Sequence, residues 1–143
     1  MYQDRAKSVD PVVEDVPGFF REFFPPECVS IIDVYCDPPF NGWMDMAENN
    51  ELPLNYYFSM GCHPHQAKQY DDKVENIILE ATKHEYPPSA FLTLNSSKCV
   101  AWGEIGLDYH YNHSPPTVQQ SVLIRQLKHA VSLKKNIISP YRL

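Results

Sequence analysis

Strand-like and helix-like stretches alternate along this chain, and that alternation limits its fold more than any other feature. Three apolar runs bounded by Gly or Pro predict strands at about 29–36, 56–60 and 99–102. Apolar residues that recur every three or four positions predict helices over 72–84 and 117–135. Strands joined in this way by helices pair in parallel through crossover connections, so the sequence predicts an α/β fold.

Capping-box spacings mark the predicted starts of the two main helices. Asp72 with Glu75 opens the first helix, and Thr117 with Gln120 opens the second. The apolar stripe of the second helix should be buried, and its members are Val118, Val122, Leu127, Ala130 and Val131.

The rest of the chain carries weaker signals. Residues 1–27 are polar, then aromatic and Pro-rich, and predict an irregular N-terminal segment with one short helix at 19–24. A second short helix is expected at 43–50. Residues 85–97 have no hydrophobic period and predict a long loop.

The length of the chain limits how complete the fold can be. A (β/α)₈ barrel takes about 250 residues, and this chain has 143. Ile137 and Ile138 begin a fourth strand shortly before Leu143. We therefore expect residues 28–143 to form a partial (β/α) barrel of the TIM type, with parallel strands alternating with helices and the C-terminal half missing.

Charge and cysteine usage restrict the function. Twelve Lys and Arg against 18 Asp and Glu give a net charge of −6, and no Lys/Arg cluster is present, which argues against a basic stripe that binds nucleic acid. The four cysteines have no CxxC spacing and predict free thiols in a reducing compartment, hence an intracellular protein of the cytoplasm or nucleus. No apolar run approaches the roughly 18 residues of a membrane span.

Polar groups follow two of the predicted strands directly. His63 and His65 come after the second strand, and Glu104 and Asp108 come after the third. Loops at the carboxyl ends of parallel strands converge on one face, so these four residues are the candidate catalytic residues. A glycine begins each motif, at 61 and 103, and allows close backbone approach.

Each candidate also has an ordinary structural interpretation. The two histidines, like His110 and His113 further on, fit exposed loop positions. Glu104 follows apolar strand residues, so it needs either a cation partner from Lys or Arg, or a metal ion whose bound water it helps to activate. Asp108 fits a turn or capping carboxylate as well as a residue that supports the site.

The two motifs together resemble the signatures of the TatD-type metal-dependent deoxyribonucleases, which belong to the amidohydrolase-like barrels. The motifs are Gly61-Cys62-His63-Pro64-His65 and Gly103-Glu104-Ile105-Gly106-Leu107-Asp108-Tyr109, and similarity extends over about 28–136. Cys36-Asp37-Pro38 tilts the resemblance toward the animal TatD-domain branch.

The resemblance implies a barrel hydrolase that cuts phosphodiester bonds in DNA or RNA with one or two divalent ions, Mg, Mn or Zn. It implies that Glu104 and His63 are metal ligands. Two features depart from the family pattern. No histidine precedes His63, so the His-x-His of the first strand has no counterpart, and the next expected histidine ligand falls on Pro140.

These observations leave two main functional hypotheses, beside a barrel hydrolase of small amides or lactones that would use the same metal chemistry. The first is a TatD-type nuclease whose substrate is DNA or RNA. The second is a catalytically silent fragment that self-associates or binds another chain, because half a barrel leaves sheet edges exposed.

Overall fold

The computed structural model describes residues 15–83, 98–111 and 113–139. Helices and strands alternate through most of this length, as predicted. In chain order they are α1 (Val16–Phe23), β1 (Ser30–Tyr35), α2 (Trp43–Glu48), β2 (Asn55–Met60), a 3₁₀ helix (Pro64–Gln69), α3 (Asp72–Thr82), β3 (Cys99–Gly103), α4 (Pro116–Ser132) and β4 (Asn136–Ile138).

The four described strands form one sheet in the order β1-β2-β3-β4, and every pair is parallel. The register runs from Ser30 opposite Asn55 to Tyr35 opposite Met60, and it shifts once between β2 and β3, at Phe58. The α/β fold is confirmed. The described residues supply four parallel strands in barrel order, half of the eight in a complete barrel.

Helices cover one face of this sheet and form the core with it. Phe58, Met60 and Trp102 project from the two central strands and are fully buried. Ile78 of α3 and Ala130 of α4 close over them, and both are also fully buried. Burial of this kind contributes about 25 cal/mol per Å² of apolar surface, so the central strands and the covering helices stabilise each other.

The opposite face is open at β1. Ile32 and Val34 alternate along this strand with the half-buried residues Ile31 and Tyr35, which pack against the core. Ile32 is 58% exposed and Val34 is 43% exposed. Successive side chains of a strand point to opposite faces, so these two apolar residues lie on the face that the helices do not cover.

The helix starts differ from the predicted capping boxes. The carboxylate of Asp71, one residue before the predicted cap, accepts the backbone N–H of Val74 at 2.8 Å and begins α3. Helix α4 begins at Pro116 with no side-chain cap, and Thr117 lies inside it. The Thr117 capping box is therefore wrong, because a proline at the first helical position supplies the required φ angle without a cap.

The stripe of α4 is also corrected at one position. Val122 and Ala130 are buried as predicted, but Val131 is 69% exposed. Val131 lies in the last turn, and the helix ends at Ser132, short of the predicted 135.

The predicted short helices are present as α1 and α2. The 3₁₀ helix after β2 was not predicted. The predicted loop at 85–97 lies outside the described residues. The four cysteines are free, as predicted. No helix among the described residues is long and apolar enough to cross a membrane.

Candidate active site

Two glycines bring the carboxyl ends of three strands close together. A Cβ atom on Gly61 would lie 2.8 Å from the Cα of Gly103 and 2.8 Å from a side-chain carbon of Ile105. A Cβ atom on Gly103 would lie 2.5 Å from the carbonyl oxygen of Ile138. Only residues without a side chain fit these contacts, so the predicted reason for both glycines is confirmed.

Backbone hydrogen bonds continue past the strand ends and position the residues that follow. The N–H of His63 donates to the carbonyl of Cys36 at 2.9 Å, and the N–H of Ile105 donates to the carbonyl of Ile138 at 3.0 Å. His63 and Glu104 thus stand three residues and one residue beyond neighbouring strands of a single sheet. Both side chains are half-buried at the same edge.

The pKa of His63 responds to three nearby carboxylates and to a second histidine. Burial lowers the pKa of His63, and the adjacent His65 lowers it further. The carboxylates of Glu104, Asp37 and Asp108 act in the opposite direction but do not cancel these effects. Glu104 therefore lies close enough to His63 for their charges to interact.

His65 and Asp108 form the best-defined contact of the site. The Nε2 atom of His65 lies 2.8 Å from Oδ2 of Asp108, whose other oxygen accepts the backbone N–H groups of His110 and Tyr111 at 2.9 and 3.3 Å. The hydrogen bond from His65 is the largest cause that lowers the pKa of Asp108 to about 2, and the two backbone donors add to it. Asp108 is thus an ionised anchor for the His65 ring.

Glu104 has no Lys, Arg or His partner in an ion pair within the described part of the chain. The ordinary interpretation of Glu104, a salt bridge with a Lys or Arg, thus finds no support among these residues. The charge of Glu104 also acts on the Cys36 thiol. Burial raises the pKa of Cys36 to about 11, and the carboxylates of Asp37 and Glu104 raise it further. Glu104 stands in an acidic neighbourhood without a described counter-ion.

Asp37 is a site neighbour that the sequence analysis missed. The sequence pattern gives Asp37 a place in the resemblance but no role in the site, whereas its carboxylate shifts the pKa values of His63 and Cys62. The signal was available, because Asp37 follows β1 closely, as Glu104 follows β3.

Two buried glutamines of α4, also missed, hold the site loops. The side-chain amide of Gln126 accepts the Cys62 N–H at 2.8 Å and the Trp102 indole N–H at 3.2 Å, and it donates to the Cys62 carbonyl at 3.1 Å. Gln119 pairs in the same way with the backbone N–H and carbonyl of Asp108, both at 2.9 Å. Their spacing of seven residues places both glutamines on the buried face of the helix.

The metal ligand set is incomplete within the described residues. No three His, Cys, Asp or Glu side chains among them are arranged to hold an ion. Glu104 and Asp37 offer the carboxylate oxygens that Mg²⁺ and Mn²⁺ prefer, and His65 offers an imidazole nitrogen. The residue types thus suit a divalent ion. Pro140, the position at which the resemblance expects a further ligand, lies outside the described residues.

A parallel sheet in barrel order, with helical connections and with carboxylate and imidazole groups at the carboxyl ends of its strands, defines the class of fold as a partial (β/α) barrel. The comparisons specify the family. The sequence profile of the TatD related DNases matches residues 9–139. The chain belongs to this family, as the two motifs predicted.

The similar proteins include a human enzyme and bacterial hydrolases. The human 3'-5' RNA nuclease TATDN2 is 34% identical over 123 residues, which cover 83% of this chain and 14% of the human protein. The metal-dependent hydrolase YabD of Bacillus subtilis is 31% identical over 101 residues, 71% of this chain and 34% of its own length. A metal-dependent hydrolase of Buchnera aphidicola is 33% identical over 84 residues, 59% of this chain and 27% of its own length. The matched region of this chain thus spans from a seventh to a third of the relatives' lengths.

Proposed function

We propose that this chain carries part of the active site of a metal-dependent nuclease that hydrolyses phosphodiester bonds in DNA or RNA. The observation that supports this most is the placement of Glu104, whose carboxylate neighbours His63 and has no cation partner among the described residues. In this proposal Glu104 holds a divalent ion. That ion, when bound, would supply Lewis-acid activation of water and charge neutralisation at the phosphate.

The protonation pattern of the two histidines suggests different tasks for them. Nδ1 of His63 accepts the backbone N–H of His65 at 3.2 Å, so the neutral ring carries its proton on Nε2. In that state His63 donates a hydrogen bond to a phosphate oxygen. For His63 to act as a metal ligand, as the resemblance implies, Nδ1 has to lose the bond from His65, either to bind the ion itself or to take over the proton from a ligating Nε2.

In His65 the ring nitrogen that remains available is Nδ1 rather than Nε2. Its Nε2 atom donates to the ionised Asp108, which leaves the lone pair of Nδ1 available as an acceptor or a metal ligand. A histidine that donates one ring nitrogen to a carboxylate while the other faces an ion is a common arrangement in metal sites. Asp108 is therefore proposed as a positioning residue that fixes the orientation and tautomer of His65.

The test is digestion of single-stranded DNA and RNA oligonucleotides by the full chain with Mg²⁺, Mn²⁺ or Zn²⁺, and with a chelator in place of metal. Glu104→Ala should lower the rate by about 100-fold or more, since a metal ligand acts on several kcal/mol of transition-state stabilisation. Glu80→Ala, which removes an exposed carboxylate of α3, is the matched control and should leave the rate unchanged. Equal rates for Glu104→Ala and the unsubstituted chain would remove Glu104 from the mechanism.

A second candidate function is association without catalysis. It is supported by the exposed apolar face at Ile32 and Val34 and by the incomplete ligand set among the described residues. Sedimentation with and without divalent metal separates the two candidates. A monomer that metal stabilises against unfolding supports the nuclease, whereas an oligomer that does not respond to metal supports the silent fragment.

A further inference from the structure

A group of exposed aromatic rings lies beside the candidate active site. The rings of Tyr111 and His113 are nearly parallel, with an interplanar angle of 19° and centroids 5.8 Å apart. His65 meets both of them edge-on, at 5.5 Å from Tyr111 and 4.8 Å from His113. We call the pair of Tyr111 and His113 the aromatic platform.

The carboxylate of Asp108 connects the platform to the histidines of the site. Asp108 accepts the backbone N–H of Tyr111 at 3.3 Å and also binds the His65 ring. The ring of His65 in turn lies 4.4 Å from the ring of His63. The His65 ring therefore links a ligand on the platform to His63, the proposed hydrogen-bond donor to phosphate.

A cavity of about 470 Å³ opens at this place, within the roughly 300–1,000 Å³ of small-molecule sites. His65 and His113 line its aromatic side, and Gln66, Lys68 and Gln69 line the rest, so the platform faces the cavity through His113, against which the Tyr111 ring is stacked. The cavity thus combines ring faces, two primary amides and an exposed ammonium group. This set matches a nucleotide, because bases stack on rings, amides hydrogen-bond base edges and a lysine pairs with phosphate.

We propose that this cavity binds one nucleobase of a single-stranded nucleic acid, stacked on the aromatic platform, and so directs the adjoining phosphodiester toward His63 and Glu104. The second half of this statement rests on the proposed nuclease function, whereas the first half does not. A single strand is required because the faces of paired bases in a duplex are already stacked and cannot reach a side-chain ring. The acidic net charge of −6 makes such stacking more important, since this chain cannot rely on a basic stripe.

The test is the binding of a short fluorescent oligothymidylate to the full chain by anisotropy, in the presence of a chelator so that no hydrolysis occurs. Tyr111→Ala and His113→Ala should each weaken binding by roughly 5- to 100-fold, the usual effect of losing one stacked base. Tyr111→Phe keeps the ring and should stay within about twofold of the unsubstituted chain. An oligomer of the same backbone without bases should bind weakly, and the three platform variants should bind it as the unsubstituted chain does.

A matched lysine pair tests the cation. Lys68→Ala should weaken the binding of both oligomers, and Lys128→Ala, at an exposed position of α4, should leave both unchanged. The proposal is overturned if the unsubstituted chain does not bind oligothymidylate, if the two alanine variants at the platform bind it as tightly as the unsubstituted chain, or if they lose equal affinity for the baseless oligomer.

The same variants separate this proposal from the nuclease function. Hydrolysis by the unsubstituted chain with no effect of platform variants on oligothymidylate binding would refute the platform and leave the nuclease intact. Oligothymidylate binding that depends on the platform, without any metal-dependent hydrolysis, would support the platform and refute the nuclease function.

Discussion

The carboxyl ends of the central strands and the open face of the outer strands are built in opposite ways. At the ends of β2 and β3, glycine contacts and buried amides fix the loops that carry His63 and Glu104. On the open face, Ile32 and Val34 of the outer strand β1 are 58% and 43% exposed. The site loops are thus held by contacts within this chain, whereas the outer strands present apolar surface to solvent.

This difference predicts where substitutions should lower the free energy of unfolding most. Side chains at the central strand ends meet backbone atoms and buried polar groups that have no alternative partner, so a small change has a large cost. Side chains of the outer strands have solvent beside them and can adjust. The predictions below test that contrast, from the largest expected effect to the smallest.

The largest effect is expected from Gln126→Leu. The substitution keeps the approximate volume but leaves the Cys62 N–H and carbonyl and the Trp102 indole N–H unpaired in the core. Each orphaned buried group costs about 1–3 kcal/mol, so we expect a loss of about 3–5 kcal/mol in the free energy of unfolding. Chemical denaturation measures it. Gln120→Leu, on the exposed side of the same helix, is the control and should change stability by less than about 0.5 kcal/mol.

Gly61→Ala should follow, with a loss of about 2–3 kcal/mol from forcing a methyl group against the backbone of Gly103. Gly42→Ala is the comparison: nothing lies within 4 Å of a Cβ there, and the cost is limited to the strain of a left-handed residue at φ 79°, about 1 kcal/mol. Thermal unfolding of both variants measures the difference. Equal losses would mean that the strand ends are not closely packed.

Asp108→Asn should reduce stability in a pH-dependent way. The pKa of Asp108 in the folded chain is about 2, below its ordinary value near 4, so the ionised group stabilises the fold above about pH 4. That contribution declines as the pH falls from about 4 toward 2. The variant should therefore be less stable than the unsubstituted chain at neutral pH and equally stable near pH 2.

Urea titrations over this pH range give the comparison for Asp108. Asp72→Asn, whose side chain is 89% exposed beside Arg125, serves as the control and should show a much smaller difference. A gap between Asp108→Asn and the unsubstituted chain that stays constant down to pH 2 would contradict the ion-pair account.

The smallest effect is expected from Ile32→Val on the open face. With 58% of the side chain exposed, the lost methylene should change the free energy of unfolding by less than about 0.3 kcal/mol. Ile78→Val removes the same group from a fully buried position and should cost about 1 kcal/mol. A large cost at Ile32 would show that this face is covered in solution, and sedimentation velocity would identify self-association as the cause.

Hydrophobic patterns and the two glycine motifs were sufficient to predict the α/β fold, the strand positions and the convergence of His63 with Glu104. Residue types that a pattern treats as polar surface were the weak point. Gln126 and Gln119 are buried because each pairs a loop backbone through a planar amide. Both lie three or four residues from Val122 or Ala130, on the buried stripe, but the stripe was predicted from apolar residues alone and so left them out. Their role depends on loops up to 64 residues away in the chain.

The helix caps failed for a related reason. Capping-box spacing occurs often by chance, and at α4 the proline at position 116 replaced the expected Thr117 cap. Asp37 was not predicted as a site residue, because the prolines that follow it indicate the end of a strand. The family match supplied what the local chemistry alone left open, since two carboxylates and two histidines at a sheet edge also fit hydrolases of other substrates.

The most direct test of the central claim, that Glu104 holds a divalent ion at the ends of β2 and β3, is Mn²⁺ binding followed by electron paramagnetic resonance. The unsubstituted chain and the Glu80→Ala control should bind Mn²⁺ equally, and Glu104→Gln should bind at least about tenfold more weakly. Equal Mn²⁺ binding by Glu104→Gln and the unsubstituted chain would contradict the account.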